Sequence, residues 1–152
     1  MQGPSIRQTA AFVRSAHGGA TANGRPRWAR SLEVMALLPE VLPGITVTHA
    51  ERQVALLRDV LRATAETEDS LLRAGFAEEV VASVQRLTRF DAGFPFLEHV
   101  AVVADSGDLA AQRVMMAAFL RDERSAAPPA EAPEARGRRQ KAMAILRRRL
   151  GY

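Results

Sequence analysis

At 152 residues the chain is long enough to bury a real core but too short for two domains. Its 47% apolar and 25% charged content is that of an ordinary soluble protein, and the lack of cysteine excludes disulfides, thiolate zinc sites and cysteine nucleophiles together. The net charge of +4 is uneven: seven of the 21 basic residues and no acidic one lie between Arg136 and Arg149, so the basic character belongs to a tail and does not by itself argue for nucleic acid.

The N-terminus, Met1-Gln2-Gly3-Pro4-Ser5, lacks the basic-then-apolar layout of a signal peptide. No run approaches the ~20 apolar residues that span a bilayer, so a cytoplasmic protein without a membrane span is expected. Residues 5–17 predict a helix with Ala11, Phe12, Val13 and Ala16 inward. Residues 18–24 read as a loop, because their glycines and Asn23 tolerate positive φ. After Arg25-Pro26-Arg27-Trp28 a second helix is expected over 29–38, with Leu32, Met35 and Leu38, or Val34 and Leu37, facing in. Trp28 is expected to anchor that helix in the core, and Pro39 and Pro43-Gly44 end it.

Thr48-His49-Ala50-Glu51 is a capping box, in which hydroxyl and carboxylate each accept from the other residue's amide. The helix it opens carries Val54, Leu57 and Leu61 at helical spacing, with Leu56 and Val60 widening the stripe, and fades near 63–65. Arg58, Asp59 and Arg62 interrupt that stripe, and charges beside a buried stripe are costly unless paired. Thr67 then caps a short turn carrying Leu71 and Leu72, ended by Gly75. Residues 77–87 bury Val80, Val81, Val84 and Leu87. After an Asp91-Ala92-Gly93 turn come helices over 94–104 and 109–120, the latter strongly apolar with Val114, Met115, Ala117, Ala118 and Phe119. The Pro/Ala/Glu-rich residues 126–135 read as a linker, and 136–150 close as a basic helix. No stretch alternates with period two long enough to predict a strand, and there is no repeat. The chain is therefore read as all-α: a helical domain over 1–125, a linker over 126–135 and a basic C-terminal helix over 136–152.

Three segments between residues 10 and 122 form a further pattern. The first is Ala16-His17-Gly18, then Gly24-Arg25-Pro26-Arg27-Trp28-Ala29-Arg30-Ser31-Leu32-Glu33-Val34. The second is Ala55-Leu56-Leu57-Arg58-Asp59-Val60-Leu61-Arg62-Ala63-Thr64, followed by Thr67, Gly75-Phe76 and Leu87-Thr88-Arg89. The third is Val114-Met115-Met116-Ala117-Ala118. In this order and at these distances they resemble the HD-domain phosphohydrolases, most of all the RelA/SpoT-type enzymes that remove pyrophosphate from guanosine tetraphosphate (ppGpp) in the bacterial stringent response. The resemblance implies an HD-domain-like helical bundle.

The family holds one divalent cation, usually manganese, with two histidines and two aspartates, and a Glu-Asp pair assists attack on phosphorus. At the four ligand positions this chain has Arg30, Arg58, Asp59 and Ala118, and at the Glu-Asp pair Arg62 and Ala63. Metal binding needs lone pairs, which guanidinium lacks while staying protonated. No metal or other cofactor is therefore expected, and no catalytic residue is intact. Arg30 or Arg58 could pair with Asp59 in place of the lost cation. Arg25, Arg27, Arg30, Arg58 and Arg62 form a candidate anion-binding set, since arginine matches phosphate in bidentate fashion.

The resemblance thus points to a pseudoenzyme that has lost hydrolysis and retains binding of a phosphorylated guanine nucleotide. Two alternatives stand beside it. One is an active metal-dependent phosphohydrolase with rearranged ligands, which would need His17, Glu66 or Asp122 to converge. The other is a non-catalytic helical interaction module using the basic tail, with the old cavity filled. Single residues also have plainer readings. Asp59 can pair with Arg58 or Arg62 on a solvated edge, and Arg25 and Arg27 can sit in a solvated loop. His17, His49 and His99 are too far apart in sequence for a short metal motif and read as structural. Met115 reads as packing, and Ala142, Ile145, Leu146 and Leu150 are spaced to dock the tail. The oligomeric state is left open.

Overall fold

Helix starts are set locally by reciprocal caps. Helix α1 (Ile6–His17) begins where Ser5 Oγ accepts from the Gln8 amide at 3.0 Å and the Gln8 side chain accepts from the Ser5 amide at 2.8 Å. At the start of α3 (His49–Leu57), Thr48 Oγ1 accepts from the Glu51 amide at 3.0 Å and Glu51 Oε1 accepts from the Thr48 amide at 3.1 Å. Thr67 and Ser70 make the same exchange ahead of α5 (Glu68–Arg73). Each such cap satisfies amides that the first helical turn leaves without partners.

The computed structural model describes residues 3–22, 24–91, 93–125 and 132–151. Its remaining elements are α2 (Arg27–Leu37) with a 3-10 turn (Leu38–Glu40), α4 (Val60–Ala63), α6 (Glu78–Leu87), α7 (Phe96–Asp105), α8 (Leu109–Ser125) and α9 (Pro133–Leu150). Helix α3 sits in the middle, packed by α1, α2, α6 and α8. Its residues Val54, Ala55, Leu56 and Leu57 are all buried, so this end of the helix has no solvent face. Helix α8 is the second buried axis, with Ala111 through Phe119 enclosed without interruption, and α9 lies across α7 and α8. The fold is all-α, as the sequence indicates.

Several boundaries differ from the sequence reading, each for a physical reason. The helix opened by Thr48 breaks after Leu57, and Asp59 (φ −100°, ψ −2°) restarts the chain as α4. The break leaves Arg58 and Asp59 half-buried beside a hollow instead of enclosing their charges in the core. Helix α8 runs on to Ser125 because its charged last turns are paired: Arg121 with Glu33 of α2 at 2.6 Å, Arg124 with both oxygens of Glu40 at 2.9 and 2.6 Å, and Glu123 with Arg139 of α9 at 2.7 Å. Helix α9 starts at Pro133, inside the stretch read as linker, since proline fits a helix's first turn. The rest of that stretch, 126–131, lies outside the described residues, as do Asn23, Ala92 and Tyr152.

No strand is expected from the sequence, yet Thr21–Ala22 pairs antiparallel with Arg25–Pro26. Two residues a side are too few for period-two alternation to register. Ala11, expected inward, is exposed; Thr9, Val13 and His17 face the core instead. Trp28 is half-buried at the core's edge, with the Arg14 guanidinium 5.0 Å from its ring centre. Helix α9 docks through Ala142, Met143 and Leu146, with Ile145 and Leu150 at the margin.

One interaction ties these parts together. Arg113 of α8 is fully buried. Its Nη1 donates to Glu51 Oε2 at 3.1 Å and to the Thr46 carbonyl at 3.2 Å, its Nε to the Leu38 carbonyl at 3.2 Å, and its Nη2 to the Ile45 carbonyl at 2.8 Å. Glu51 is thereby shared between the α3 cap and this guanidinium. Breaking a buried charge pair from one side strands the other charge and costs roughly 3–5 kcal/mol. Arg113→Met should lower the unfolding free energy in urea by about that amount. A loss under about 1 kcal/mol would mean that the carbonyls find other donors.

Candidate functional site

The turn between α3 and α4, the C-terminal end of α6 and the faces of α7 and α8 enclose a hollow of about 140 Å³. Arg58, Asp59 and Arg62 line one side, Leu87, Thr88 and Arg89 a second, and Phe96 and His99 of α7 a third. Met115, Ala118, Phe119 and Asp122 of α8 complete it. Phe96 and Phe119 meet edge-to-face with centroids 5.8 Å apart, and the Arg89 guanidinium lies 5.9 Å from the Phe96 ring centre. The apolar wall lowers the local dielectric, so the charges opposite it act more strongly than they would in water.

Three guanidiniums face two carboxylates here, and the carboxylates are already engaged. Arg58 Nη1 lies 3.2 Å from Asp59 Oδ2, both side chains about one-quarter exposed (22% and 24%). Asp122 Oδ1 accepts from Arg121 Nη1 at 3.1 Å and has Arg30 Nη2 at 3.8 Å. Arg62 is exposed at the mouth. His99 Nε2 sits 3.2 Å from the Leu87 carbonyl. Burial lowers the His99 pKa, the bond to Leu87 opposing this and the Arg89 charge adding to it. The hollow is therefore a net cationic, half-dry concavity.

Of the sequence-derived positions, Arg58, Asp59, Arg62 and Ala118 line the hollow. Arg30 is outside the lining and reaches its wall through Asp122. Ala63, half-buried on α4, is not in the lining. Two members of the anion set belong elsewhere. Arg25 is exposed and paired with Glu33, and Arg27 follows the Arg25–Pro26 strand, where its charge is felt by His17. Arg89, Thr88 and His99 were not assigned a role from sequence. Leu87-Thr88-Arg89 stood in the resemblance pattern but carried no chemistry there, and His99 had nothing to separate it from a structural histidine. The donors needed for a rearranged metal site are not brought together in the lining: Asp122 is there, His17 and Glu66 are not.

His17 is 5% exposed, and neither ring nitrogen has a hydrogen-bond partner. Arg30 Nε and Ser31 Oγ on the neighbouring helix are likewise buried without partners. Burial lowers the His17 pKa, the Asp59 charge opposes the shift and Arg27 adds to it.

No protein-family model matches the sequence, and no curated protein is significantly similar to it. Among solved structures, the chain is similar to that of a metazoan orthologue of SpoT that hydrolyses ppGpp and plays a role in starvation responses. The TM-score is 0.73 at 18% identity, over 97% of this chain and 87% of that one. The chain has the RelA/SpoT-like HD fold. At that identity the shared property is the fold, and the matched span is long enough to include most of α9, beyond the region the sequence resemblance covers.

The manganese that the HD fold implies does not suit the residues of this hollow. Asp59 and Asp122 are held by guanidiniums, Ala118 offers no donor, and an incoming cation would meet Arg58, Arg62 and Arg89. Among the described residues no three His, Asp or Glu side chains converge as a metal cage. Among the described residues no helix is long and apolar enough to cross a membrane.

Both lowered histidines make stability depend on pH. In the unfolded chain they take up protons near pH 6.5, whereas the folded chain resists doing so. Between the folded-state values and 6.5 the unfolded state binds more protons, so stability is full above that window and falls as pH drops through it. Glu33, whose pKa is lowered chiefly by its bond from Arg121, acts only below about 4.5. The thermal midpoint should therefore fall between pH 7.5 and 5.5, and a His17→Gln/His99→Gln double variant should flatten that dependence. A parent midpoint unchanged across the range would contradict it.

Proposed function

We propose that this HD-fold chain is a cytoplasmic pseudoenzyme that binds a phosphorylated guanine nucleotide and does not hydrolyse it. The observation that carries the reading is the Arg58–Asp59 pair inside the hollow. A guanidinium beside the carboxylate satisfies its charge while leaving other N–H groups to meet phosphate oxygens. Arg62 and Arg89 add positive charge on the same concavity, and Arg30 stands behind Asp122. Arg25 is removed from the anion set proposed from sequence, because Glu33 engages it. The similar solved structure acts on ppGpp, which makes that nucleotide the first ligand to test.

Reading the chain as an interaction module with a filled cavity is less well supported, because the hollow is open. The basic helix spends part of its charge internally, on Glu123 through Arg139 and on Asp105 through Arg149.

Isothermal titration with ppGpp should give saturable heat that Arg58→Glu abolishes. Incubation of the complex with manganese should release no pyrophosphate. Turnover accompanied by bound metal would overturn the pseudoenzyme, and absence of heat from the parent protein would overturn nucleotide binding.

A further inference from the structure

The loop joining α6 to α7 exposes two large aromatic side chains, Phe90 (63% exposed) and Phe94 (38%). Exposed phenylalanine is costly in water and here is not scattered: neither ring lines the cationic hollow itself, but Phe90 directly follows the lining residue Arg89 and Phe94 stands two residues before the lining residue Phe96. Phe90 follows Arg89, whose Nη1 reaches the Phe94 carbonyl at 3.4 Å while its guanidinium stays over Phe96 inside the hollow. The loop is shaped by local bonds that do not involve either ring. The Asp91 carbonyl accepts from the Phe94 amide at 3.0 Å, and Asp91 Oδ1 accepts from the Gly93 amide at 2.8 Å. Neither ring is among the aromatic pairs of the core, which are Phe12 with Phe76 and Phe96 with Phe119 among the described residues.

Exposed aromatic rings on the loop that follows an arginine-lined floor would match the two chemistries that a nucleotide carries, a π-face and an anionic phosphate. Inorganic phosphate or a sugar phosphate would use the floor and leave the rings idle. Building on the phosphate-binding reading above, the geometry points to Phe90 and Phe94 as a stacking platform for the nucleobase. The two rings would then distinguish nucleotides from other phosphorylated ligands, with Arg58 and Arg62 taking the phosphates and Arg89 standing between the two regions.

Stacking on an aromatic side chain is worth about 1–3 kcal/mol per base, roughly 5- to 160-fold in affinity. Titration of the full chain with inorganic pyrophosphate and with ppGpp separates the platform from the floor. The expected result is that ppGpp binds at least fivefold more tightly than pyrophosphate. A Phe90→Ser/Phe94→Ser variant should lose that advantage while binding pyrophosphate as the parent does, and Arg58→Glu should lose both ligands. Equal affinities for the two ligands, or a ppGpp affinity untouched by the double serine variant, would overturn the platform and leave the phosphate floor standing. Binding of neither ligand by the parent would overturn both. Because both rings are exposed, the variant's thermal midpoint should match the parent's. A large drop in the midpoint would show the rings to be packing residues and would also overturn the platform.

Discussion

The Arg113–Glu51 pair ties together α3 and α8, the two buried axes of the fold, one of which ends at the hollow and the other lines it. It joins α8 to the cap of α3, and the guanidinium's remaining donors tie down three carbonyls of the stretch between α2 and α3. Helix α3 ends at the Arg58–Asp59 turn and α8 carries Met115, Ala118, Phe119 and Asp122. The two helices are therefore held in register by a buried bond between residues that do not themselves line the hollow. A charge enclosed so completely is tolerated only because each of its nitrogens is used, which also makes the arrangement intolerant of sliding.

Inside the hollow each carboxylate is answered by a guanidinium. The Arg58 guanidinium lies 3.2 Å from the Asp59 carboxylate and balances its charge without a metal ion. The second carboxylate, Asp122, is held by Arg121 with Arg30 behind it. Arginine keeps its charge at every accessible pH, so this cationic character does not depend on metal supply or proton concentration. What it cannot do is lower the pKa of a bound water as a metal does.

The ring nitrogens of His17, Arg30 Nε and Ser31 Oγ, on α1 and α2, are buried without hydrogen-bond partners. Buried polar atoms without partners are uncommon and costly. The packing around these atoms supplies none. Burial is also the main cause of the lowered His17 pKa.

Much of the architecture was legible in the residues alone. Thr48–Glu51 and Thr67 announced their helices because a cap depends on atoms within one turn of chain, and the apolar spacing of Val80, Val81 and Val84 marked the buried face of α6. The Arg58-Asp59 interruption was visible as charge set into an apolar stripe. The break that follows Leu57, the buried role of Arg113, the pairing that extends α8 and the removal of Arg25 to Glu33 were not. Each depends on partners 8 to 88 residues distant in sequence or on the packing of several helices, information that periodicity does not contain. By itself, then, the sequence determined an all-α chain and the charged Arg58-Asp59 interruption of an apolar stripe, because both are local properties. Which residues share a common hollow, and which arginines are engaged by carboxylates elsewhere, was decided by tertiary structure, because only the folded chain brings each charge to its counter-charge.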